Sequence, residues 1–232
     1  MYILILGLDH SRTTITDLVL GDRIGAISMG EVRRTVSPKG REENAVGLCT
    51  CGMSYQQCEI WQSYRDGTLL GGEGVAIIDS SKEIKHYRRM LKSHKDTTTI
   101  LVLRKFKPWS TSVRKSRQRD QRDTLKSIFD DKQFILANLR LYLRKYIWIS
   151  YIEWLATHLR FLLAIKGRAF VVASSHDIDR VAGKLGRFSS FGERHIVRGN
   201  RVASEKKVVL NDFDEYGLFQ KLCRKLLEAK SG

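Results

Sequence analysis

Residues 2–14, Tyr-Ile-Leu-Ile-Leu-Gly-Leu-Asp-His-Ser-Arg-Thr-Thr, decide the fold that this sequence predicts. Tyr2–Leu6 is an unbroken apolar run that ends at a glycine, which is typical of a strand buried on both faces of a parallel sheet. A polar turn follows, and then Ile15, Leu18 and Val19 recur at helical spacing. A strand, a polar turn and a helix in this order predict the opening of a phosphate-binding α/β fold.

The alternation of strands and helices continues along the chain. Further strands are predicted over residues 24–29, 75–78, 98–103 and 170–172. Further helices are predicted over residues 81–91, 176–185 and 212–230, and two helices within residues 126–166. This order predicts a P-loop-like three-layer α/β fold, with a central parallel sheet of about five strands flanked by helices. We expect residues 1–232 to form a single domain, with a cysteine-containing insertion at about residues 33–70.

The composition favours an anionic partner. The 232 residues carry a net charge of +16, which suits nucleic acid, anionic lipid, an acidic glycan or a polyphosphorylated cofactor without choosing among them. The first apolar run is too short for a signal-peptide core, and the apolar stretch 146–165 is interrupted by Glu153, His158 and Arg160. We therefore expect no transmembrane segment and a cytoplasmic location, with peripheral contact with a membrane left open.

Polar clusters follow the predicted strands where ligands bind in parallel α/β sheets. They are residues 9–14, 30–31, 79–82 and 104–112. In the first cluster, a turn that feeds a helix favours an anion, and the hydroxyl groups of Ser11, Thr13 and Thr14 are additional donors. The same residues also suit an ordinary capped helix.

The first cluster departs from the phosphate loop of nucleotide hydrolases. That loop requires G-x-x-x-x-G-K-[ST]. Counting from Gly7, Arg12 and Thr13 occupy the positions of the second glycine and of the lysine. The missing lysine argues against hydrolysis of ATP or GTP.

In this stretch the chain resembles the sulfotransferases that use 3′-phosphoadenosine-5′-phosphosulfate (PAPS), in particular bacterial members related to tyrosylprotein and carbohydrate sulfotransferases. Their 5′-phosphosulfate loop reads approximately (Lys/Arg)-Ser-Gly-Thr-Thr, and the corresponding stretch here is His10-Ser11-Arg12-Thr13-Thr14. His10 replaces the usual base, and Arg12 replaces the glycine. The resemblance implies transfer of a sulfuryl group from PAPS to a hydroxyl or amine, and it implies that His10 or Arg12 supplies the positive charge of this loop.

Two further stretches extend the resemblance and imply the catalytic residues. Gly30-Glu31 matches a Gly-Glu pair after the family's first helix, and residues 79–82, Asp-Ser-Ser-Lys, match a stretch after a middle strand. The resemblance implies that Glu31 is the general base and that Lys82 neutralises the leaving oxygen. Without that role, Glu31 is expected to be a solvated carboxylate or a partner of Arg33 or Arg34.

The resemblance also implies a site for the 3′-phosphate of the donor. Arg104 and Ser112 keep the family's spacing of eight residues, although residues 105–107 differ from the family pattern. Arginine suits phosphate because its planar fork donates two parallel hydrogen bonds. A second matching stretch, residues 199–201, would cover the same phosphate; its members are Gly199, Asn200 and Arg201. The product is then 3′-phosphoadenosine 5′-phosphate (PAP), and no metal is required.

Three cysteines lie close together in the sequence. The segment Cys49-x-Cys51-Gly…Cys58-x-x-Trp also occurs in many bacterial sulfotransferases that the chain resembles. A zinc site usually needs four ligands, and the fourth could be His86 or Cys223. We favour a structural role for the thiols, as packed side chains or a redox-dependent crosslink, over zinc.

Two other classes of function stay open. A non-catalytic protein that binds nucleic acid or another polyanion would suit the net charge and the basic run 114–122. A P-loop-like nucleotide kinase is the second alternative. For the sulfotransferase, the acceptor is expected to be a glycan, a lipid headgroup or a small metabolite, since these carry hydroxyl groups.

Overall fold

A computed structural model of the chain describes residues 1–9, 11–37, 48–69, 74–94, 96–114, 147–188, 194–196 and 213–231. Its strands are β1 (Tyr2–Leu6), β2 (Ile27–Ser28), β3 (Ile77–Asp79), β4 (Thr97–Val102) and β5 (Ala169–Val172). They form one parallel sheet of five strands in the order β2-β3-β1-β4-β5. The prediction of an α/β fold around a parallel sheet is confirmed.

Helices connect the strands and cover both faces of the sheet. They are α1 (Thr13–Ile24), α2 (Val32–Val36), α3 (Glu59–Arg65), α4 (Ile84–Ser93), α5 (Ile147–Ala164), α6 (Ser175–Leu185) and α7 (Leu218–Ser231), and residues 106–114 are also helical. Helix α7 begins later than predicted because the residues before it are tied to the end of β5. There Ser174 forms an isolated bridge with Asp214, and the amide of Glu215 donates to the carbonyl of Ala173 at 2.8 Å.

Alternate residues of β1 face two separate apolar clusters, as the pleat of a strand requires. Ile3 and Ile5 pack with residues of α1 and α6, whereas Tyr2, Leu4 and Leu6 pack with residues of α3, α4, α5 and α7. Burying an aliphatic side chain of this size stabilises the fold by about 1.5–3 kcal/mol. The sheet is therefore the middle of three layers, and both of its faces are buried against helices.

The cysteine-containing segment packs against one of these faces. Trp61 of α3 has no exposed surface, and Cys49, Tyr55 and Cys58 belong to the same buried cluster as the even-numbered residues of β1. The indole of Trp61 donates to the carbonyl of His195 at 2.9 Å. This segment therefore adds to the main core and links it to a distant part of the chain.

Helix α5 carries the interrupting charges noted in the sequence. His158 is fully buried, where burial lowers its pKa to about 4 and its Nδ1 lies 2.7 Å from the carbonyl of Trp154. Among the described residues, no helix combines the length and the apolar character needed to cross a bilayer.

Candidate functional site

Three polar side chains from three different loops meet at the carboxyl edge of the sheet. Because the strands are parallel, the loops after β1, β2 and β3 leave the sheet at the same edge. Lys82 Nζ lies 3.0 Å from Glu31 Oε1 and 3.1 Å from Asp9 Oδ1. These residues line a cavity of about 230 Å³. The structure thus brings together Glu31 and Lys82, two of the residues that the sequence predicts for catalysis.

The turn after β2 determines where Glu31 lies. Gly30 has φ 65°, a left-handed conformation that glycine adopts without strain, and its carbonyl accepts from the amide of Ser80 at 2.8 Å. Glu31 then immediately precedes α2. Its second carboxylate oxygen lies 2.9 Å from Arg34 Nε, so the expected pairing with Arg34 exists beside the contact with Lys82.

A buried network holds the loop that carries Lys82. The carboxylate of Asp79 accepts from the hydroxyl of Tyr2 at 2.8 Å and from the amide of Ser81 at 2.8 Å, and it lies 2.6 Å from His86 Nε2. Asp79 has no exposed surface. The Asp-Ser-Ser-Lys stretch therefore combines a structural aspartate with a lysine whose side chain is 18 % exposed.

The loop after β1 approaches the sheet closely. A Cβ added to Gly7 would lie 2.8 Å from Thr13 Cγ2 and 3.0 Å from the carbonyl of Val102, so only glycine fits there. Ser11 is buried, and its Oγ has no hydrogen-bond partner among the described residues; the same holds for Thr16 Oγ1. Such buried donors are expected to have a partner, and an anion at the start of α1 would supply one.

Two arginines meet at one carboxylate beside this loop. The side chains of Arg12 and Arg104 each lie 3.5 Å from Glu215 Oε1. Burial and the neighbouring Arg104 lower the pKa of Arg12 from its ordinary value, while Glu215 raises it. Guanidinium groups attract anions, so this pair of arginines at the start of α1 and the end of β4 is suited to phosphate.

The other predicted binding residues are placed as follows. Thr14 lies half-buried in the first turn of α1, next to the buried Thr13. Ser112 is half-buried in the helical segment 106–114. His10, Gly199, Asn200 and Arg201 lie outside the described residues, as does the greater part of the basic run 114–122.

Two site residues had no assigned role in the sequence. Asp9 belongs to the first polar cluster, so its position at the end of β1 was a usable signal for it. Glu215 carries no such signal, because it reaches the arginines only through the pairing of residues 214–215 with the end of β5. The helical segment 106–114 also contacts the first loop, since the indole of Trp109 donates to the carbonyl of Asp9 at 2.9 Å.

The cysteine cluster has a fourth member that the sequence did not indicate. Ligand atoms of Cys49, Cys51, Cys58 and His195 all lie within 4.8 Å of one another. The sequence offered His86 or Cys223 as the fourth ligand, and both were wrong. His86 contacts Asp79, and Cys223 is buried on α7 in the core.

Burial controls the ionisation of two of these thiols. It raises the pKa of Cys49 to about 12 and also raises the pKa of Cys58. Without a neighbouring cation, these two side chains are neutral thiols at neutral pH and react slowly as nucleophiles.

Comparison of the chain with models of protein families, with curated proteins and with solved structures gives no match. The geometry at the carboxyl edge of the sheet and the sequence motifs found there are therefore the features that indicate a function.

Proposed function

We propose that this protein is a sulfotransferase that moves a sulfuryl group from PAPS to a hydroxyl or amine acceptor. The observation that carries the proposal is the 3.0 Å contact between Lys82 Nζ and Glu31 Oε1. Sulfuryl transfer needs a base for the acceptor proton and a fixed cation for the leaving oxygen in one site, on opposite sides of the transferred sulfur. Here both groups lie at the carboxyl ends of parallel strands, where such folds bind their ligands.

The residues of the chain have separate roles in this reaction. PAPS supplies a sulfuryl group whose bond to the 5′-phosphate oxygen breaks as a bond from the acceptor forms. Glu31 accepts the proton that the acceptor loses, and Lys82 stabilises the negative charge that develops on the leaving oxygen. A fixed charge of this kind is worth about 3–4 kcal/mol in a transition state.

The loop after β1 and the end of β4 provide groups that fit the phosphates of the donor. Ser11 has a buried hydroxyl with no partner among the described residues. Arg12 follows it in sequence, and Arg12 and Arg104 both contact Glu215. We assign Ser11, Thr13 and Thr14 to the 5′-phosphosulfate, with Arg12 or His10 as its positive charge. Arg104 and Ser112, with residues 199–201, are assigned to the 3′-phosphate.

The remaining parts of the proposal concern partners and location. We propose a hydroxyl-bearing glycan, lipid headgroup or small metabolite as the acceptor, no metal in the transfer step, and a cytoplasmic location with peripheral membrane contact left open. The net charge of +16 is consistent with an anionic donor and also with the non-catalytic polyanion-binding alternative.

A pair of carboxylate variants tests the role of Glu31. We expect Glu31→Gln to lower the rate of PAP formation from PAPS by about 10²–10⁴-fold, since it removes the base, while the affinity for PAP changes little. Asp9→Asn is the matched control because it removes the other carboxylate on Lys82, one that is 70 % exposed. The measurement is PAP release in the presence of a panel of sugar, phenol and polyol acceptors, with PAP affinity from calorimetry.

The outcomes of this pair separate the possible readings. Full activity of Glu31→Gln with loss of activity in Asp9→Asn would assign the base to Asp9 instead. A wild-type protein whose melting temperature rises with ATP and Mg²⁺ but not with PAP would support the nucleotide kinase. Salt-sensitive binding of nucleic acid that Glu31→Gln leaves unchanged, with no response to PAP, would support the non-catalytic alternative.

A further inference from the structure

The cluster of Cys49, Cys51, Cys58 and His195 lies outside the proposed transfer site and has the dimensions of a metal centre. Cys51 Sγ lies 3.7 Å from Cys58 Sγ. His195 Nδ1 lies 3.2 Å from Cys58 Sγ and 3.8 Å from Cys49 Sγ. Four ligand atoms from two distant parts of the chain thus surround one point.

These distances match the edges of a zinc tetrahedron. With Zn–S bonds of about 2.3 Å and a Zn–N bond of about 2.0–2.1 Å, tetrahedral geometry separates two sulfurs by about 3.8 Å and a sulfur from a nitrogen by about 3.5 Å. We propose that Cys49, Cys51, Cys58 and His195 bind a structural Zn²⁺ ion. This site goes beyond the proposed transfer reaction and does not depend on it.

The backbone around the cluster presents its ligands toward one another. The amide of Cys49 donates to the carbonyl of Met53, and the amide of Gly52 donates back to the carbonyl of Cys49, each at 2.8 Å. This tight turn places Cys49 and Cys51 side by side. Cys58 follows within the same segment, just before α3.

Independent hydrogen bonds place His195 against the cysteines. Its amide donates to the carbonyl of Ser28 at 2.9 Å, and its carbonyl accepts from the indole of Trp61. The residues on either side of His195 are also held: the hydroxyl of Thr50 donates to the carbonyl of Arg194 and accepts from the amide of Ile196. The position of the imidazole is therefore fixed from the side of the sheet and from the side of the cysteine segment.

The donor set favours zinc over the other roles of clustered cysteines. A disulfide would use two of the thiols and would need neither the third thiol nor a histidine nitrogen in the same buried space. Three soft thiolates and one imidazole are typical of structural zinc, and four protein ligands leave no open position for a catalytic water. Bound Zn²⁺ would also remove the protons of the buried thiols, since a coordinating thiol is deprotonated.

Zinc at this place would stabilise the part of the fold that carries Glu31. Strand β2 has only two residues and lies at the edge of the sheet, where β3 is its neighbour among the five strands. Ser28 of β2 bonds the His195 backbone, and Gly30-Glu31 follow directly. The metal would thus join the cysteine segment, His195 and β2 into one unit.

The metal content and the cobalt spectrum of the full-length protein test the site. After expression in zinc-supplemented medium, we expect one zinc per chain by elemental analysis. Replacement by Co²⁺ should give the intense visible bands of tetrahedral cobalt with thiolate-to-cobalt charge transfer in the near ultraviolet. Protein that holds no zinc and gives no such bands would overturn the proposal.

Ligand variants locate the metal. We expect Cys51→Ser and His195→Ala to lower zinc affinity by more than about 100-fold, since the loss of outer partners alone costs about 10–100-fold. Cys223→Ser is the matched control, because it removes a buried cysteine of α7 outside the cluster. Zinc retained equally by all three variants would place the metal elsewhere and overturn the proposal.

A measurement on the wild-type protein decides the question if the variants do not fold. Cys51 is exposed, so as an uncoordinated thiol it should be alkylated readily. We expect bound zinc to slow the alkylation of Cys51, and a chelator that removes the zinc to restore the fast rate. Peptide mass spectrometry measures the rate. Equal rates with and without the chelator would overturn the proposal.

Discussion

Arg12 adopts a left-handed backbone conformation, φ 66°, at the residue before α1. In this conformation Cβ approaches the following carbonyl oxygen, at a cost of about 1–2 kcal/mol for a residue other than glycine. The guanidinium group lies 4.3 Å from the centre of the Phe213 ring and 3.5 Å from Glu215. The chain thus keeps the backbone shape of a glycine at this position while adding a charge, which is the kind of strain found at ligand sites.

Two substitutions at this position separate the cost of the backbone from the contribution of the side chain. Arg12→Gly and Arg12→Ala both remove the guanidinium group, but only glycine relieves the left-handed conformation. We therefore expect Arg12→Gly to be more stable than Arg12→Ala by about 1 kcal/mol, with equal losses of affinity for PAP. Urea denaturation and calorimetry check the two parts. Equal stabilities would mean that the loop changes its shape once the arginine is gone.

At the scale of elements, helix α1 brings an acidic residue into its contact with the sheet. Asp17 is completely buried, and its backbone carbonyl accepts from the hydroxyl of Ser28 in β2 at 3.3 Å. The side chains of Ser80 and Asp79 lie near its carboxyl group. Burial is the main reason that the pKa of Asp17 is raised to about 7; hydrogen bonds from neighbouring hydroxyl groups oppose this shift, and the charge of Asp79 adds to it. The stability of this contact should therefore depend on pH.

The sign of this dependence follows from the two pKa values. Between the ordinary value of 3.8 and the folded value of about 7, the folded protein holds a proton that the unfolded chain has lost, so stability falls as pH rises through this window. At 1.36 kcal/mol per pKa unit, the contribution of Asp17 falls by about 3 kcal/mol from pH 5 to pH 8. We expect Asp17→Asn to abolish that loss in urea denaturation.

The control for Asp17 lies on the same helix. Asp22 is exposed and pairs with Arg194, so Asp22→Asn removes an exposed negative charge and leaves the buried carboxyl group of Asp17 in place. It should keep the pH dependence of the wild-type protein. If Asp17→Asn lost as much stability between pH 5 and pH 8 as the wild-type protein, Asp17 would be ionised in the folded state.

The elements that could be predicted from sequence are those whose signal is local. The apolar runs of β1 and β5 and the β-branched run of β4 are buried on both faces, so composition alone marks them. Strand β2 is shorter than predicted because α1 extends to Ile24 and Gly25 caps it, so the strand begins only at Ile27. Glu31 and Lys82 could be predicted because both follow strands, whereas Glu215 and His195 join their sites through isolated pairings that leave no periodic pattern.

At the scale of the whole molecule, adjacent central strands bring two cationic loops together. Leu6 of β1 pairs with Leu101 of β4, and the residues that follow these strands include Arg12 and Arg104. The sequence assigns these two loops to opposite ends of one nucleotide. In the structure, one arginine from each loop contacts the same carboxylate, that of Glu215.

A substitution of Arg104 separates specific nucleotide binding from the attraction of a basic surface. Arg104→Ala should lower the affinity for PAP by about 10–100-fold, because a hydrogen bond to a charged group is worth about 1.5–3 kcal/mol. Affinity for adenosine 5′-monophosphate, which lacks the 3′-phosphate, should change much less. Calorimetry with both nucleotides measures the difference.

Lys92→Ala provides the same change of net charge at the opposite edge of the sheet. Lys92 is exposed near the end of α4, just before β4 begins, whereas Arg104 follows the carboxyl end of β4. A surface that attracts anions only through its total charge would lose affinity for PAP equally in both variants. If Arg104→Ala lowers the affinity for PAP and for adenosine 5′-monophosphate equally, Arg104 does not bind the 3′-phosphate. A loss confined to PAP and to Arg104→Ala is the result that a site built for a bisphosphorylated adenosine requires.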